Sequence, residues 1–394
     1  MATHQSYSGW SKRAIAFVAK TYQTAKKDRA AKTNHWENSL RVFIYEHIVG
    51  GGLLGREDEL PENLLREGAA MHRALVEDFA ALDGVKVSTT LDARLERRRR
   101  FAAWPAAVEC VPVIDASHFQ HVFDQQTRRS DWTLVVAPEI DAALLERTRY
   151  VVRSGTRLLG LSEDVIRLAS DKHATADWLF ERGVPCTQGV RLIEGGKLPA
   201  DLRYPAVAKP CDGAGCEGIV VLRSAADWHR CGDDGATSYR LEPIVTGTPA
   251  SATLLCGLAG AVPLLAGRQD VQIGDRVTYH GGDLPLSGSL GERAVALSER
   301  VAAALPQPLG CGLLGVDMVL RDEVSRGARA GDRDVVVEVN PRVTTSYVAL
   351  RRLVVGNLAG HMLDVAEGRT ATLAFDCAPL QFTADGQVRP AERV

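Results

Sequence analysis

The stretch VVVEVNPRVTTSY, residues 335–347, sets a carboxylate, an amide and a guanidinium close together at the end of an apolar run. Three valines lead in, so the run reads as a strand, and Pro341 ends it. Side chains alternate between the two faces of a strand. Val336, Glu338 and Asn340 are therefore expected on one face, with Val335, Val337 and Val339 on the other, against a core. Two oxygen-bearing side chains side by side suit Mg2+, which prefers hard oxygen ligands and phosphate partners.

The preceding apolar run, LLGVDMVL (313–320), carries a lone acid, Asp317. A buried carboxylate is costly unless it is paired or metal-bound. Antiparallel pairing across the polar loop 321–334 would bring Asp317 beside Glu338. A structural ion pair with Arg342 is the alternative. The metal reading is favoured because a phosphate site is legible elsewhere. In YPAVAKPCDGAGCEGIVVL (204–222) a short strand delivers Lys209, and a loop with Gly213, Gly215 and Gly218 follows. Glycines let backbone N–H groups approach phosphate oxygens, and the lysine adds a point charge. Lysine is scarce here: beyond residue 32 only Lys86, Lys172, Lys197 and Lys209 occur, and arginine supplies the other cations. Lysine and arginine differ in hydration and reach, so a retained lysine marks a position that needs one.

Working outward, the chain divides by pattern. Residues 1–40 form an N-terminal extension, basic before Asp28, read as poorly ordered rather than as a basic amphipathic helix. Residues 41–158 alternate strands (41–49, 85–90, 111–114, 133–138) with helices, which predicts an α/β domain with a parallel sheet. Residues 159–375 open with two short helices meeting at Ser170–Asp171, then strands in hairpin-like pairs and a helix over 344–355, which predicts α+β. A small lobe spans about 185–245, and 376–394 reads as a tail. The glycine run GGGLLG (50–55) follows a strand, but the next helix starts only near Pro61. A dinucleotide site is disfavoured, because its pyrophosphate would lack a helix N-terminus.

Asp317, Glu338 and Asn340, with Lys172, Lys209 and the Gly-rich loop, resemble the ATP-grasp superfamily over roughly 160–370. EVNPR (338–342), VAKPCDGAGCEGI (207–219) and SDKHATADWLFERGVP (170–185) occur in the expected order. The resemblance implies a pre-ATP-grasp domain before a two-lobed ATP-grasp domain. It also implies ATP on Lys172, Lys209, Asp212, Gly213, Gly215 and Gly218, with Glu242 and Ile244 of LEPIV (241–245) near the adenine. Asp317, Glu338 and Asn340 would hold Mg2+, two ions in this family, with Mn2+ as the alternative. Lys209 and Arg342 would take the catalytic roles. The acid that often holds the ribose is missing: Pro249 and Ala250 stand near its position, leaving Ser251 as the candidate. A narrower resemblance, to the tyramine–glutamate ligase group of methanofuran biosynthesis and its methylofuran-forming bacterial relatives, covers most of 41–355. It rests on VFIYEHIVGGGL, LLREGAAMHRALVEDF, AGRQ, YHGGDLPL and NPRVTTSYVALR.

For the other substrates, Glu46, Gly51 and Gly52 lie at a strand end, where an α/β sheet places its ligand cleft. Arg268, Gln269 and Tyr279 are further candidates. Thr344, Thr345 and Ser346 offer hydroxyls and amides after the metal strand, or an ordinary helix cap. A net charge of -2 gives no global attraction for nucleic acid. Small-molecule carboxylate and amine substrates, no membrane partner and a cytoplasmic site are expected, with a homodimer as one allowed state. Eight scattered cysteines without CxxC pairs fit reduced thiols. The rival readings are an ATP-grasp ligase for another amino acid and amine, and a nucleotide-binding protein without catalysis.

Overall fold

The computed structural model describes residues 39–391, apart from 57–59, 97–103, 106, 194, 232–237 and 322–333. Nearly all of the N-terminal extension, part of the basic run 94–100 and most of the 321–334 loop lie outside the described residues.

The first strand, β1 (Leu40–Glu46), is buried at six of its seven positions, as a strand covered on both faces must be. Around it run β2 (Val85–Asp92), β3 (Val108–Val113), β4 (Trp132–Val136) and β5 (Arg157–Leu159), in the order β3-β2-β1-β4-β5, all parallel. The strand order reverses direction between β1 and β4, and α/β sheets bind ligands outside the carboxyl ends of strands at such a point. Helix α1 (Glu62–Ala80) packs on β1 and β2. Helices α2 (Ala116–Arg129) and α3 (Ala143–Arg153) cover the opposite face, where Phe119, Phe123 and Leu144 join Phe43 and Tyr45 in the core. Sequence pattern missed β5, which has only three residues.

Two short helices follow, α4 (Glu163–Ala169) and α5 (Lys172–Glu181). Asp171 caps α5, its carboxylate accepting from the Ala174 amide at 2.9 Å, and so places Lys172 in the first turn. The small lobe is a four-stranded sheet of β6 (Val190–Ile193), β7 (Ala206–Pro210), β8 (Val220–Leu222) and β9 (Ser238–Pro243), in the order β6-β9-β7-β8.

The large sheet comprises β10 (Thr248–Gly257), β11 (Gly260–Ile273), β12 (Val277–Leu284), β13 (Gly312–Leu320) and β14 (Val335–Asn340), with helix α6 (Gly288–Ala304) against β10, β11 and β13. Helices α7 (Tyr347–Leu353) and α8 (Leu358–Ala366) pack on α1. Beyond them β15 (Leu380–Thr383) pairs antiparallel with β12, and β16 (Val388–Pro390) pairs with β15. The segment read from sequence as a tail therefore contributes two strands to the large sheet.

Two local expectations change. Asp317 pairs with Glu338, but Met318 pairs with Val336, so Val337 is an extra residue on β14. This bulge breaks the alternation. Val336 and Val339 enter the core, while Val337 lines the cavity beside Glu338. The helix expected over 344–355 also starts later, at Tyr347, and ends at Leu353, and its cap position, Ser346, makes no side-chain cap bond. Thr344–Ser346 thus leads into the helix as a turn, with no side chain capping it. Among the described residues no helix is long and apolar enough to cross a membrane.

Candidate active site

The small sheet and the large sheet face each other across a cavity. Its apolar end is lined by Val207, Ile219, Ile244, Met318 and Val319, and its polar end by Lys209, Asp317, Glu338, Asn340 and Arg342.

On the small sheet, Lys209 pairs in register with Arg240, and Glu242 lies two residues further along the same face. Lys209 forms an ion pair with Glu242. Arg240 reaches the same carboxylate through Nε at 2.9 Å, and Thr187 donates to it at 2.5 Å. Burial would raise the Glu242 pKa, but Lys209, Thr187 and Arg240 outweigh it and hold the carboxyl below its usual range. Two cations on one carboxylate leave an excess positive charge on this wall, which suits an anionic ligand.

On the large sheet, Asn340 donates to Asp317 at 3.0 Å and Gln269 donates to its other oxygen at 3.1 Å. Burial, then the facing Glu338 carboxylate, push Asp317 up to about 6. Lys172 reaches Glu338 at 2.9 Å and donates to the Gly213 carbonyl. Burial pulls the Lys172 ammonium down, yet Glu338 and Glu139 keep its pKa above the ordinary value.

Whether a divalent cation fits can be judged from the donors. Two carboxylates and an amide side chain converge from adjacent strands, and the mutual repulsion of the two acids is what a cation would relieve. Among the described residues no three His, Cys, Asp or Glu side chains form a metal cluster. The set therefore suits an ion that completes its shell with phosphate oxygens and water, as Mg2+ does.

Residues 169–346 match the ATP-grasp domain family, and residues 85–166 match the pre ATP-grasp 3 domain. The chain carries a pre-ATP-grasp domain followed by an ATP-grasp domain. It is similar to a tyramine–L-glutamate ligase of Methanocaldococcus fervens, 22% identical over 315 residues, spanning 79% of this chain and 89% of that protein. Among solved structures it resembles the ADP complex of an N5-carboxyaminoimidazole ribonucleotide synthetase (TM-score 0.64, 16% identity, 88% of this chain and 81% of that one). It also resembles an L-amino acid ligase from Bacillus licheniformis (TM-score 0.61, 15% identity, 90% of this chain and 78% of that one). The domain pair and the ligase relatives support an ATP-dependent ligase.

Within the ATP-grasp domain most expected residues gather. Lys209, Gly215, Glu242, Ile244, Arg268, Gln269, Tyr279, Asp317, Glu338, Asn340, Arg342 and Thr344–Ser346 line the cavity. Lys172 touches its edge through Glu338, and Gly213 through Lys172. Gly218 lines a second, adjoining cavity, while Asp212 lines neither. Arg268 spends its charge on Asp283, at 2.6 Å. Ser251 also lines the cavity, paired in register with Asp317 on the neighbouring strand.

Three substrate candidates lie elsewhere. The Glu46 carboxylate turns back on its own loop and accepts from the Val49 amide at 2.7 Å. Neither it nor Gly51 nor Gly52 lines the cavity. A Cβ on Gly52 would stand 2.3 Å from the His47 ring, so that glycine serves close packing.

The pre-ATP-grasp domain instead supplies two residues that sequence pattern did not select. Glu139, just past β4 at the switch point, grips Arg342 with both oxygens. Burial works against the Arg342 charge, but Glu139, Glu338 and Glu67 keep its pKa above the ordinary value. Glu67, on α1, accepts from the Thr345 hydroxyl at 3.2 Å. The one sequence signal for Glu139 was its place after a central strand's carboxyl end. All eight cysteines are unpaired. Burial pushes the Cys216 thiol in the Gly-rich loop up to about 12, so it is not a ready thiolate.

Proposed function

We propose that this protein is an ADP-forming carboxylate–amine ligase that joins L-glutamate to tyramine or tyrosine through an acyl phosphate. The route to a methylofuran-type one-carbon cofactor is its proposed setting. The observation that carries the reading is the facing of Lys209 and Lys172 with Asp317, Glu338 and Asn340, with Arg342 beside them.

A carboxylate is a poor electrophile because its leaving group would be an oxide. Phosphorylation removes that obstacle. Lys172 and Lys209 hold the phosphates of the substrate ATP, and the 211–218 loop covers them. Asp317, Glu338 and Asn340 would hold Mg2+, which supplies charge neutralisation at the phosphates. Arg342 aligns the transferring phosphoryl group and stabilises the charge that develops on it. The glutamate carboxylate oxygen bonds to the γ-phosphorus as the bond to ADP breaks. The amine nitrogen then bonds to the acyl carbon, and phosphate departs. Ile244 and its apolar neighbours accommodate the adenine.

The test is product analysis with ATP, Mg2+, L-glutamate and either tyramine or tyrosine. ADP, phosphate and one amide are expected, with ADP release dependent on both organic substrates. AMP and pyrophosphate would show an adenylating enzyme instead. Arg342→Ala should abolish ligation while retaining ATP binding; wild-type turnover in that variant would remove the role given to Arg342.

A further inference from the structure

The cavity that holds the metal and phosphate residues opens onto a second one of about 740 Å³, ample for a small amine. Six residues line both: Glu67, Gly215, Cys216, Val277, Tyr279 and Phe382. Glu67 is the one carboxylate among them. It comes from α1 of the pre-ATP-grasp domain and stands in the neck between the two spaces. Thr345 fixes its Oε2, and no other hydrogen bond to its carboxylate is made among the described residues. Oε1 lies 3.5 Å from where a Cβ on Gly215 would stand, so the loop that covers the phosphates also closes over this oxygen.

An amine at neutral pH arrives as an ammonium ion, which has no lone pair to attack with. It needs an acceptor for one proton, placed beside the acyl carbon and open to the route of entry. We infer that the second cavity admits the primary amine and that Glu67 binds its ammonium group and takes its proton. The inference rests on the acyl-phosphate ligase reading above. One N–H proton passes to a Glu67 oxygen, and the freed nitrogen lone pair forms the C–N bond. The C–O bond to phosphorus then breaks, and phosphate leaves with that electron pair. The second nitrogen proton leaves with the phosphate, and the proton on Glu67 returns to solvent through the second cavity. Burial pushes the Glu67 carboxyl up to about 7, against Arg342, Thr345 and Arg66, with Glu217 adding to the rise. A base so poised can both accept and release a proton near neutrality.

Hydroxylamine separates the two half-reactions, because it is largely unprotonated at neutral pH and needs no base. With ATP, Mg2+ and L-glutamate, Glu67→Gln should form the hydroxamate within about two-fold of the wild-type rate. Its ligation of tyramine or L-tyrosine should fall by about 100-fold or more, the usual scale for a lost proton acceptor. Glu67→Asp should recover part of that loss. Wild-type ligation by Glu67→Gln overturns the inference. An equal fall with hydroxylamine and amine overturns it too, since Glu67 would then serve the nucleotide half or the fold. A wild type that forms hydroxamate but accepts neither amine overturns the assignment of the second cavity. A wild type that forms no hydroxamate defeats the ligase reading itself, and this inference with it.

Discussion

Arg342 and Glu139 form a two-pronged ion pair, Nε to Oε1 at 3.0 Å and Nη2 to Oε2 at 3.2 Å. The pair spans 203 positions of sequence and joins the end of β14 to the end of β4. The guanidinium proposed to act on the phosphoryl group is therefore aimed by the pre-ATP-grasp domain. Both side chains are nearly buried, at 11% and 4% exposure, so neither can turn to water if its partner is lost.

Removing that partner should be costly. Glu139→Ala leaves a buried cation without its counter-charge, a change that typically costs about 3–5 kcal/mol. The expected outcome in urea unfolding is a loss of that order, with ligation falling further than ATP binding. Unchanged stability would mean that Arg342 finds another carboxylate within reach.

Lys209 should matter to nucleotide affinity more than to stability. In Lys209→Met the Glu242 carboxylate keeps its bonds to Arg240 and Thr187, so the small sheet should stay folded. The charge offered to phosphate is gone. Calorimetry should show ATP affinity reduced about ten-fold or more, since a charge-assisted contact contributes roughly 1.5–3 kcal/mol. Full affinity in this variant would move the phosphate site elsewhere.

Asp317 should show function opposing stability. Its carboxyl is raised from 3.8 to about 6 by burial and by Glu338. The folded state thus holds a proton that the unfolded chain releases between those values, and ionising it costs stability as pH rises through that window. Asp317→Asn removes the cost. At pH 7.5 without Mg2+ the variant should be about 1 kcal/mol or more stable than wild type, a difference that closes near pH 4. It should also lose the Mg2+ dependence of ATP binding. A destabilised variant at pH 7.5 would contradict the repulsion between the two acids.

His72 supplies a pH dependence of the opposite sign. Thr89 donates its hydroxyl proton to the Ile44 carbonyl at 2.7 Å, so it accepts from His72 Nε2 at 2.5 Å, and the ring's Nδ1 has no partner among the described residues. Burial lowers this imidazole from 6.5 to about 3. The folded state keeps it neutral while the unfolded chain binds a proton below pH 6.5, so stability is complete above 6.5 and falls toward pH 3. One such group contributes a slope of about 1.4 kcal/mol per pH unit. Unfolding free energies from urea titrations of His72→Leu between pH 6.5 and 4 should show a slope shallower by that amount; identical slopes would place the acid sensitivity on other residues.

The metal strand was legible because its two requirements are local. A period of two set Glu338 and Asn340 on one face, and a hairpin over a polar loop set Asp317 opposite Glu338. The bulge at Val337 was not legible, since one valine among the strand's four marks no shift of register. Glu46 misled for a related reason. Its place at the end of β1 was apparent, but the turn that folds its carboxylate back onto the Val49 amide was not.

By itself, the sequence determined the alternation that makes a parallel sheet, the meeting of two short helices at Ser170–Asp171, and the order of lysine, glycine loop and acid-bearing strands. Each of these depends on residues a few positions apart. Only the tertiary structure decided that Glu139 holds Arg342, that Glu67 stands in the neck beside Thr345, and that the last strands complete the large sheet. Those contacts join residues up to 278 positions apart. They exist because two domains bury charged groups against each other, and a buried charge must find its partner wherever the fold brings one.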